Sequence, residues 1–492
     1  MTSSKGLGAI WEFRVLVRLS DLVFQCDAVW KSIRGMTTIL DCMISYHQKM
    51  DSKLMSNTSV LVLDKNTSED VAKAMIEEGL QKEPFFVFDM DEAYRRVAHF
   101  KKMMPRVQMF YAMKANDSDK MIKLAAALEL GFDCASPGEI HKILELGVSP
   151  QSIIFAAPTK TPDWMVYARQ SGVRHTTFDS SYELKKVKQY WPDVGLLIRI
   201  KVDSDSIYKL GEKYGCDFET EATNLLEEAA SLGLKVVGVA FHVGSSCSSA
   251  HSHVEGLQNA RALFDYETRA GRGMSIVDIG GGFLSDKIDR IDQVSKLINT
   301  TLEELFPEHS VQIIAEPGRY LCDTTCNLYC SVNSIRRATR GGEKVNMIYM
   351  NDGLFGSLRY NDPWQTVKRF GRPGDIRNEK LEKTILWGPS CDSTDRVMQN
   401  VDIMLPRCTP LDWLIFAIQG AYSFGFASQF SCLQRPQMRS VISRDLWTKL
   451  KDSKVFGPGD FENNPDISAP LPSTLPPIIN KSTFVKSNTL KI

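Results

Sequence analysis

From about residue 90 the chain alternates between two hydrophobic periods. Short, nearly continuous apolar runs occur at 107–113 (VQMFYAM), 131–136 (GFDCAS), 152–158 (SIIFAAP) and 175–180 (HTTFDS). Four more follow at 195–202 (GLLIRIKV), 236–244 (VVGVAFHVG), 275–283 (SIVDIGGGF) and 311–318 (VQIIAEPG). Between them lie stretches with helical spacing, such as DKMIKLAAALEL, GEIHKILELG and QVSKLINTTLEELF. Runs that are apolar throughout suit strands covered on both faces. Eight of them alternating with helices predict an α/β fold, a TIM-like (β/α)8 barrel with a closed parallel sheet. A doubly wound open sheet is the alternative.

After Tyr320 the pattern changes to runs such as LYCSVNSIRR, KVNMIYMN, KTILWGPS and DWLIFAIQG, with turns rather than helices between them. The resulting division is an N-terminal extension at 1–55, a segment at 56–89, the barrel at 90–325, a mainly β domain at 326–450 and a tail at 451–492. The strand and helix within 56–89 are assigned to the β domain, although the barrel could also receive them. From about 457 the tail holds many Pro, Asn and Ser residues (ENNPDISAPLPSTLPP) and reads as disordered. Residues 1–55 are an unusual extension, a poorly packed arm or a misplaced start. They carry no assigned function, and charges at Glu12, Arg14, Arg18 and Asp21 interrupt any signal-peptide core.

Composition narrows the classes. Apolar residues are 43% and charged residues 24% of 492, the balance of a globular protein. Lys+Arg and Asp+Glu are both 59, so no net field draws the chain to nucleic acid or an acidic membrane. No run of eighteen apolar residues predicts a membrane span. The eleven cysteines are scattered without a CxxC pair. Cys322, Cys326 and Cys330 lack the His cluster of a zinc site, so no metal is expected and reduced, cytoplasmic thiols are the reading.

The chemistry lies at the ends of the predicted strands, where a barrel builds its site. Lys114 follows the first strand, Asp133 lies in the second and Arg199 in the fifth. The sixth ends in FHVGSS, the seventh in GGGF and the eighth in AEPGR. Burying such charges unpaired costs several kcal/mol, so one near the end of most strands is not a random pattern. Gly280, Gly281 and Gly282 after strand seven and Gly318-Arg319 after strand eight suit a phosphate cradle, to which Ser245 adds a hydroxyl. A lysine for a Schiff base, an anion cradle and an acid for a pyridine nitrogen together point to pyridoxal 5'-phosphate. Lys114, the two glycine-containing loops and Glu316 fit those roles, with His242 against the ring face. GGGF lacks the GxGxxG spacing of a nicotinamide site.

These residues resemble the eukaryotic ornithine decarboxylases, alanine-racemase-like barrel decarboxylases. FYAMKAND, GFDCAS, FHVGSSC, DIGGGF, AEPGRY, NDGLFGS, WGPSCDSTD and GAYSF match that family's blocks in order, from about residue 59 to 450. The resemblance implies decarboxylation of ornithine to putrescine, the first step of polyamine synthesis, by a homodimer with shared active sites. It implies Lys114 as the Schiff-base lysine, Glu316 at the pyridine nitrogen and His242 stacked on the ring, with Asp133 and Arg199 supporting them. It places Ser245, Gly282, Arg319 and Tyr422 on the phosphate. Cys391 and Asp392 would enter the partner's site, Cys391 governing reprotonation and Asp392, with Asp362, binding the substrate's distal amine. Lys213 would pair across the interface with Asp395.

The chain also departs from the family. The family reads HVGSG where this chain has Ser246, and GGGFPG where it has Leu284-Ser285. Both changes sit beside the phosphate loops and bear on cofactor affinity. The segment LRYNDPWQTV aligns Asp362 with the family's substrate-binding aspartate only after a gap is shifted. Two alternatives stay open: a silent paralogue like the antizyme inhibitors, and a decarboxylase of another amino acid. An antizyme-like regulator is a further partner to test for.

Overall fold

A computed structural model of the chain describes residues 59–360, 364–371 and 379–472. The extension at 1–55 and Asp362 lie outside the described residues. Eight strands close into a parallel barrel: β1 (Val107–Ala112), β2 (Gly131–Cys134), β3 (Ile153–Phe155), β4 (His175–Phe178), β5 (Gly195–Ile200), β6 (Lys235–Phe241), β7 (Ile276–Asp278) and β8 (Gln312–Ala315). Each lies in one of the eight apolar runs, and β8 pairs back onto β1 to complete the ring.

Eight helices surround it: α1 (Met90–Met103), α2 (Asp119–Ala127), α3 (Pro137–Glu145), α4 (Pro162–Gln170), α5 (Ser181–Tyr190), α6 (Ala222–Ser231), α7 (His251–Arg269) and α8 (Ile291–Leu305). The helix after β8, Arg319–Cys322, is too short to cover a strand. Instead α1, which precedes β1, packs against both α2 and α8 and fills the eighth place. Local sequence starts these helices abruptly. Ser136 and Thr161 accept hydrogen bonds from the N–H groups of Glu139 and Trp164, and Pro137 and Pro162 occupy the first helical position. Such caps let each strand end turn into its helix within a few residues.

Alternate strand residues divide between two cores. Phe110, Ile154, Leu197, Val237, Ile276 and Ile314 meet inside the barrel. Met109, Tyr111, Phe132, Phe155, Phe178 and Val277 face the helices. The interior is therefore a packed plug, and only the C-terminal mouth is open for chemistry.

The second domain is an eleven-stranded sheet built on the long strand Cys326–Arg340. Both strands of the N-terminal segment, Val60–Leu63 and Phe85–Asp89, join this sheet and not the barrel. Phe85–Asp89 pairs antiparallel with Cys326–Arg340 on one side and parallel with Gln437–Ser443 on the other. It leads directly into α1, whose first turn is capped by Asp89, so sheet and barrel are joined without a spacer.

As far as residue 472 the tail is ordered where its composition predicts disorder; residues 473–492 lie outside the described residues. Phe461–Asn463 forms a strand parallel to Val60–Leu63, and the described chain continues to residue 472. Asp460 anchors it to α2 through Lys120 at 2.6 Å and Lys123 at 2.7 Å. Burial opposes its ionisation, yet the two lysines hold its carboxyl at about 2. The segment's composition is that of a loop. Its order comes from long-range partners, a sheet edge that needs covering and two part-buried cations, which a local reading does not see. Among the described residues no helix is long and apolar enough to cross a membrane, and no group of His, Cys, Asp and Glu could hold a metal.

Candidate active site

A cavity of about 770 Å³ opens at the C-terminal mouth of the barrel. Lys114, Asp133, Arg199, His242, Ser245, Gly282, Glu316, Arg319 and Tyr422 all line it, although they span more than 300 positions of sequence. Lys114 sits in a single helical turn, Met113–Ala115, directly after β1, with its side chain open to the cavity. Its Nζ donates to Oδ2 of Asp133, a fully buried carboxylate on the neighbouring strand β2. The desolvating cavity works against the lysine's charge, but Asp133 and Glu316 outweigh it and hold its pKa above the ordinary lysine value.

Glu316 follows β8 and is buried. Burial first, and then the carboxylates of Asp133 and Asp278, push it well above the usual carboxylate range. Asp278, at the end of β7, is also raised by burial, although its Oδ1 accepts from the Gly280 N–H at 2.8 Å. Oε1 of Glu316 and Oδ1 of Asp133 are buried without a hydrogen-bond partner. Buried acceptors of this kind are costly unless a ligand satisfies them.

His242 follows β6. Its Nδ1 accepts from the Gly244 N–H at 3.0 Å, which leaves Nε2 as the protonated nitrogen of a neutral ring. Desolvation, with Arg199 and Lys114 nearby, pushes its pKa well below the ordinary value and keeps the ring neutral. A methyl group at Gly281 would come within 3.0 Å of that ring's Nε2, so the glycine loop and the histidine fix each other's position.

At the other end of the cavity Arg319 is nearly buried and its Nε donates to Ser245 Oγ at 3.1 Å. The rings of Tyr422 and Tyr208 lie 4.9 and 5.5 Å from its guanidinium carbon. Gly280 and Gly282 adopt φ of +61° and +102°, which favour glycine. A Cβ at 280 would fall 2.3 Å from the Phe241 carbonyl oxygen. Gly280→Ala is therefore expected to cost more than about 1 kcal/mol of stability and to lower the midpoint of thermal unfolding. An unchanged midpoint would contradict this backbone contact.

Tyr422 reaches the mouth from the β domain. Its N–H donates to the Ala115 carbonyl at 2.8 Å, beside Lys114, and it holds φ of +54°. That backbone costs free energy for a tyrosine, and such strain concentrates at functional sites. Further aromatic residues of the wall, among them Trp164, Tyr208, Tyr360 and Phe426, carry no signal in the sequence. Each is an ordinary apolar residue in its local context. Asp278 is a further buried acid beside Glu316, and its place in SIVDIGGGF, a carboxylate at the end of an apolar strand, is a signal the sequence carries.

Cys391 and Asp392 do not line the cavity. They are exposed on the turn after the strand Leu381–Trp387, where Asp392 Oδ1 accepts from the Thr394 N–H and hydroxyl at 2.8 and 2.6 Å. Those bonds hold its carboxyl below the usual range. The Lys213–Asp395 pair that the resemblance implies would join two subunits; within one chain Asp395 is engaged locally. Asp395 is 1% exposed, and its carboxylate already accepts from Leu354 N–H, Ser390 N–H and Ser390 Oγ at 2.7, 3.0 and 2.7 Å. It secures its own turn, while Lys213 lines the rim of the cavity.

Residues 90–323 match the model of the pyridoxal-dependent decarboxylase family, pyridoxal binding domain. The chain is 36% identical over 434 residues to ornithine decarboxylase of Mus pahari, covering 83% of this chain and 93% of that one. It is 35% identical to antizyme inhibitor 2 of Xenopus laevis, covering 78% and 87%. The crystal structure of Paramecium bursaria Chlorella virus arginine decarboxylase bound to agmatine superposes with a TM-score of 0.70 at 30% identity, covering 76% of this chain and 100% of that one.

The residues present fit the family's cofactor. The cavity offers a lysine at one wall, a buried acid with a free oxygen, a neutral histidine ring and, opposite, an arginine with a serine hydroxyl and glycine backbone. With this geometry and these relatives, the chain belongs to the ornithine decarboxylase family and is a pyridoxal-phosphate-dependent amino-acid decarboxylase.

Proposed function

We propose that this enzyme decarboxylates L-ornithine to putrescine, as a homodimer in which each cavity is completed by the other subunit. The convergence of Lys114, Asp133, His242, Glu316 and Arg319 on one cavity carries the reading. Pyridoxal phosphate, when bound, supplies an electron sink for the pair released as CO2 leaves the substrate's α-carbon.

The chain's own residues would bind and orient it. Lys114 would hold the cofactor covalently, and Asp133, which accepts from its Nζ, would keep the lysine's ammonium in place. Glu316, buried with Oε1 unpartnered, would face the ring nitrogen and become an anion only where a positive partner compensates it. That requirement favours the protonated ring. Neutral His242, its plane set by the Gly244 N–H, would lie against the ring face. Arg199 offsets the surplus of buried acids. Ser245, Gly282, Arg319 and Tyr422 would hold the phosphate.

The exposed turn with Cys391 and Asp392 would serve the partner's cavity, Cys391 delivering a proton to the α-carbon and Asp392 pairing with the distal ammonium. Asp362 is the proposed second carboxylate there. A direct competition among ornithine, lysine and leucine tests the substrate. A distal ammonium paired with a carboxylate is expected to favour ornithine over leucine by roughly 30-fold or more. Comparable turnover of leucine would defeat the ornithine reading and leave the decarboxylase intact. The similarity to antizyme inhibitor 2 favours one other reading, a silent binding protein. A visible absorbance of the purified protein that borohydride abolishes while fixing the cofactor on the peptide containing Lys114 would exclude it.

A further inference from the structure

The loop after β7 departs from the family motif at Leu284-Ser285, and the structure gives Ser285 a partner. It is fully buried, and its Oγ donates to Asp323 Oδ2 at 2.5 Å. Asp323 is also fully buried, and the same oxygen accepts from Trp364 Nε1 at 3.1 Å. Its other oxygen lies 3.7 Å from Arg319 Nη1, one helical turn earlier in the chain. The Trp364 ring stands 5.9 Å from the guanidinium carbon of Arg319. One carboxylate thus contacts three separate pieces of the cavity's anion end: the loop after β7, the arginine after β8 and a segment of the β domain.

We propose that Ser285, Asp323 and Trp364 form a buried tie that sets the shape of this end, with Asp323 the positioning residue for Arg319. The inference rests on the reading that places the cofactor's phosphate between the two loops. The tie acts through directed hydrogen bonds. Ser285 has no left-handed backbone, so its hydroxyl can be removed as alanine without straining the chain. An asparagine at 323 retains an oxygen that accepts from both Ser285 and Trp364, while an alanine retains nothing. A hydrogen bond to a buried charged group is worth enough that losing it should weaken cofactor binding about ten-fold or more.

The experiment uses the full chain stripped of cofactor and titrates pyridoxal phosphate by its visible absorbance, independently of turnover. Ser285→Ala and Asp323→Ala should each raise Kd about ten-fold or more, Asp323→Asn should recover most of the loss, and Ser285→Ala/Asp323→Ala should be no weaker than Asp323→Ala alone. Circular dichroism accompanies each variant, and Ser285→Ala keeps the test open if Asp323→Ala fails to fold. Arg319→Ala separates the two layers of the argument. If Arg319→Ala weakens binding but Ser285→Ala leaves Kd within two-fold, or if the two losses simply add, the tie is overturned. If Arg319→Ala has no effect, the phosphate assignment falls and the tie with it.

Discussion

Lys114→Ala is expected to remove the visible absorbance of the enzyme and to lower turnover by at least about 10²- to 10⁴-fold, the range of a lost acid–base group alone, with the covalent hold on the cofactor lost in addition. Steady-state decarboxylation at saturating cofactor measures it. Residual turnover within ten-fold of wild type would place the reactive amine elsewhere. The substitution should also reveal how the site is balanced. Lys114 contacts buried Asp133 and faces Glu316, which burial and its acidic neighbours hold above the usual carboxylate range. A raised folded-state pKa means that the folded chain binds more protons than the unfolded chain. Stability therefore falls as pH rises from the ordinary carboxylate range towards the raised value. Lys114 offsets part of this fall. Without it, the variant should lose more stability at pH 7 than at pH 5, as chemical denaturation at the two values can show. An equal loss would mean that the lysine does not compensate the acids.

Much of this site was legible in the sequence because a barrel converts strand order into geometry. Lys114, Asp133, Arg199 and Glu316 stood out as charges in or just after apolar runs, and strand ends of a closed parallel sheet share one face. The eight runs and the eight observed strands coincide for the same reason: a strand buried on both faces must be apolar throughout. Gly280 and Gly282 were legible as a loop. Their reason, the approach of the Phe241 carbonyl and the Val243 side chain, needed the neighbouring strand.

What escaped the sequence depended on partners far away in it. Phe461–Asn463 reads as loop from composition, but the edge of Val60–Leu63 and two lysines of α2 recruit it. Tyr360 and Phe426 carry no local signal, since an aromatic residue in a loop becomes a cavity wall only when the β domain lies over the barrel. Ser285 read as a departure with consequences for the cofactor. Its connection to Asp323 became visible only when β7 and β8 were placed side by side.

The exposed turn at Cys391 and Asp392 leads to the second large effect. Both residues belong to the enzyme's proposed chemistry, yet neither lines the cavity of its own chain. If they act in a partner's cavity, Cys391→Ala should reduce turnover by about 10²- to 10⁴-fold as a lost proton donor, while leaving the visible absorbance at Lys114 intact. Mixing that variant with Lys114→Ala should then restore activity that neither has alone. In a two-fold symmetric dimer with random, equal exchange, half the dimers are mixed. Each mixed dimer has one cavity with both substitutions and one with neither, so recovery should reach about a quarter of wild type. Carrying different affinity tags on the two variants and recovering dimers that hold both tags establishes that exchange has occurred. Exchange without recovered activity would place Cys391 and Lys114 in the service of the same subunit's cavity, and the turn would have to move to reach it.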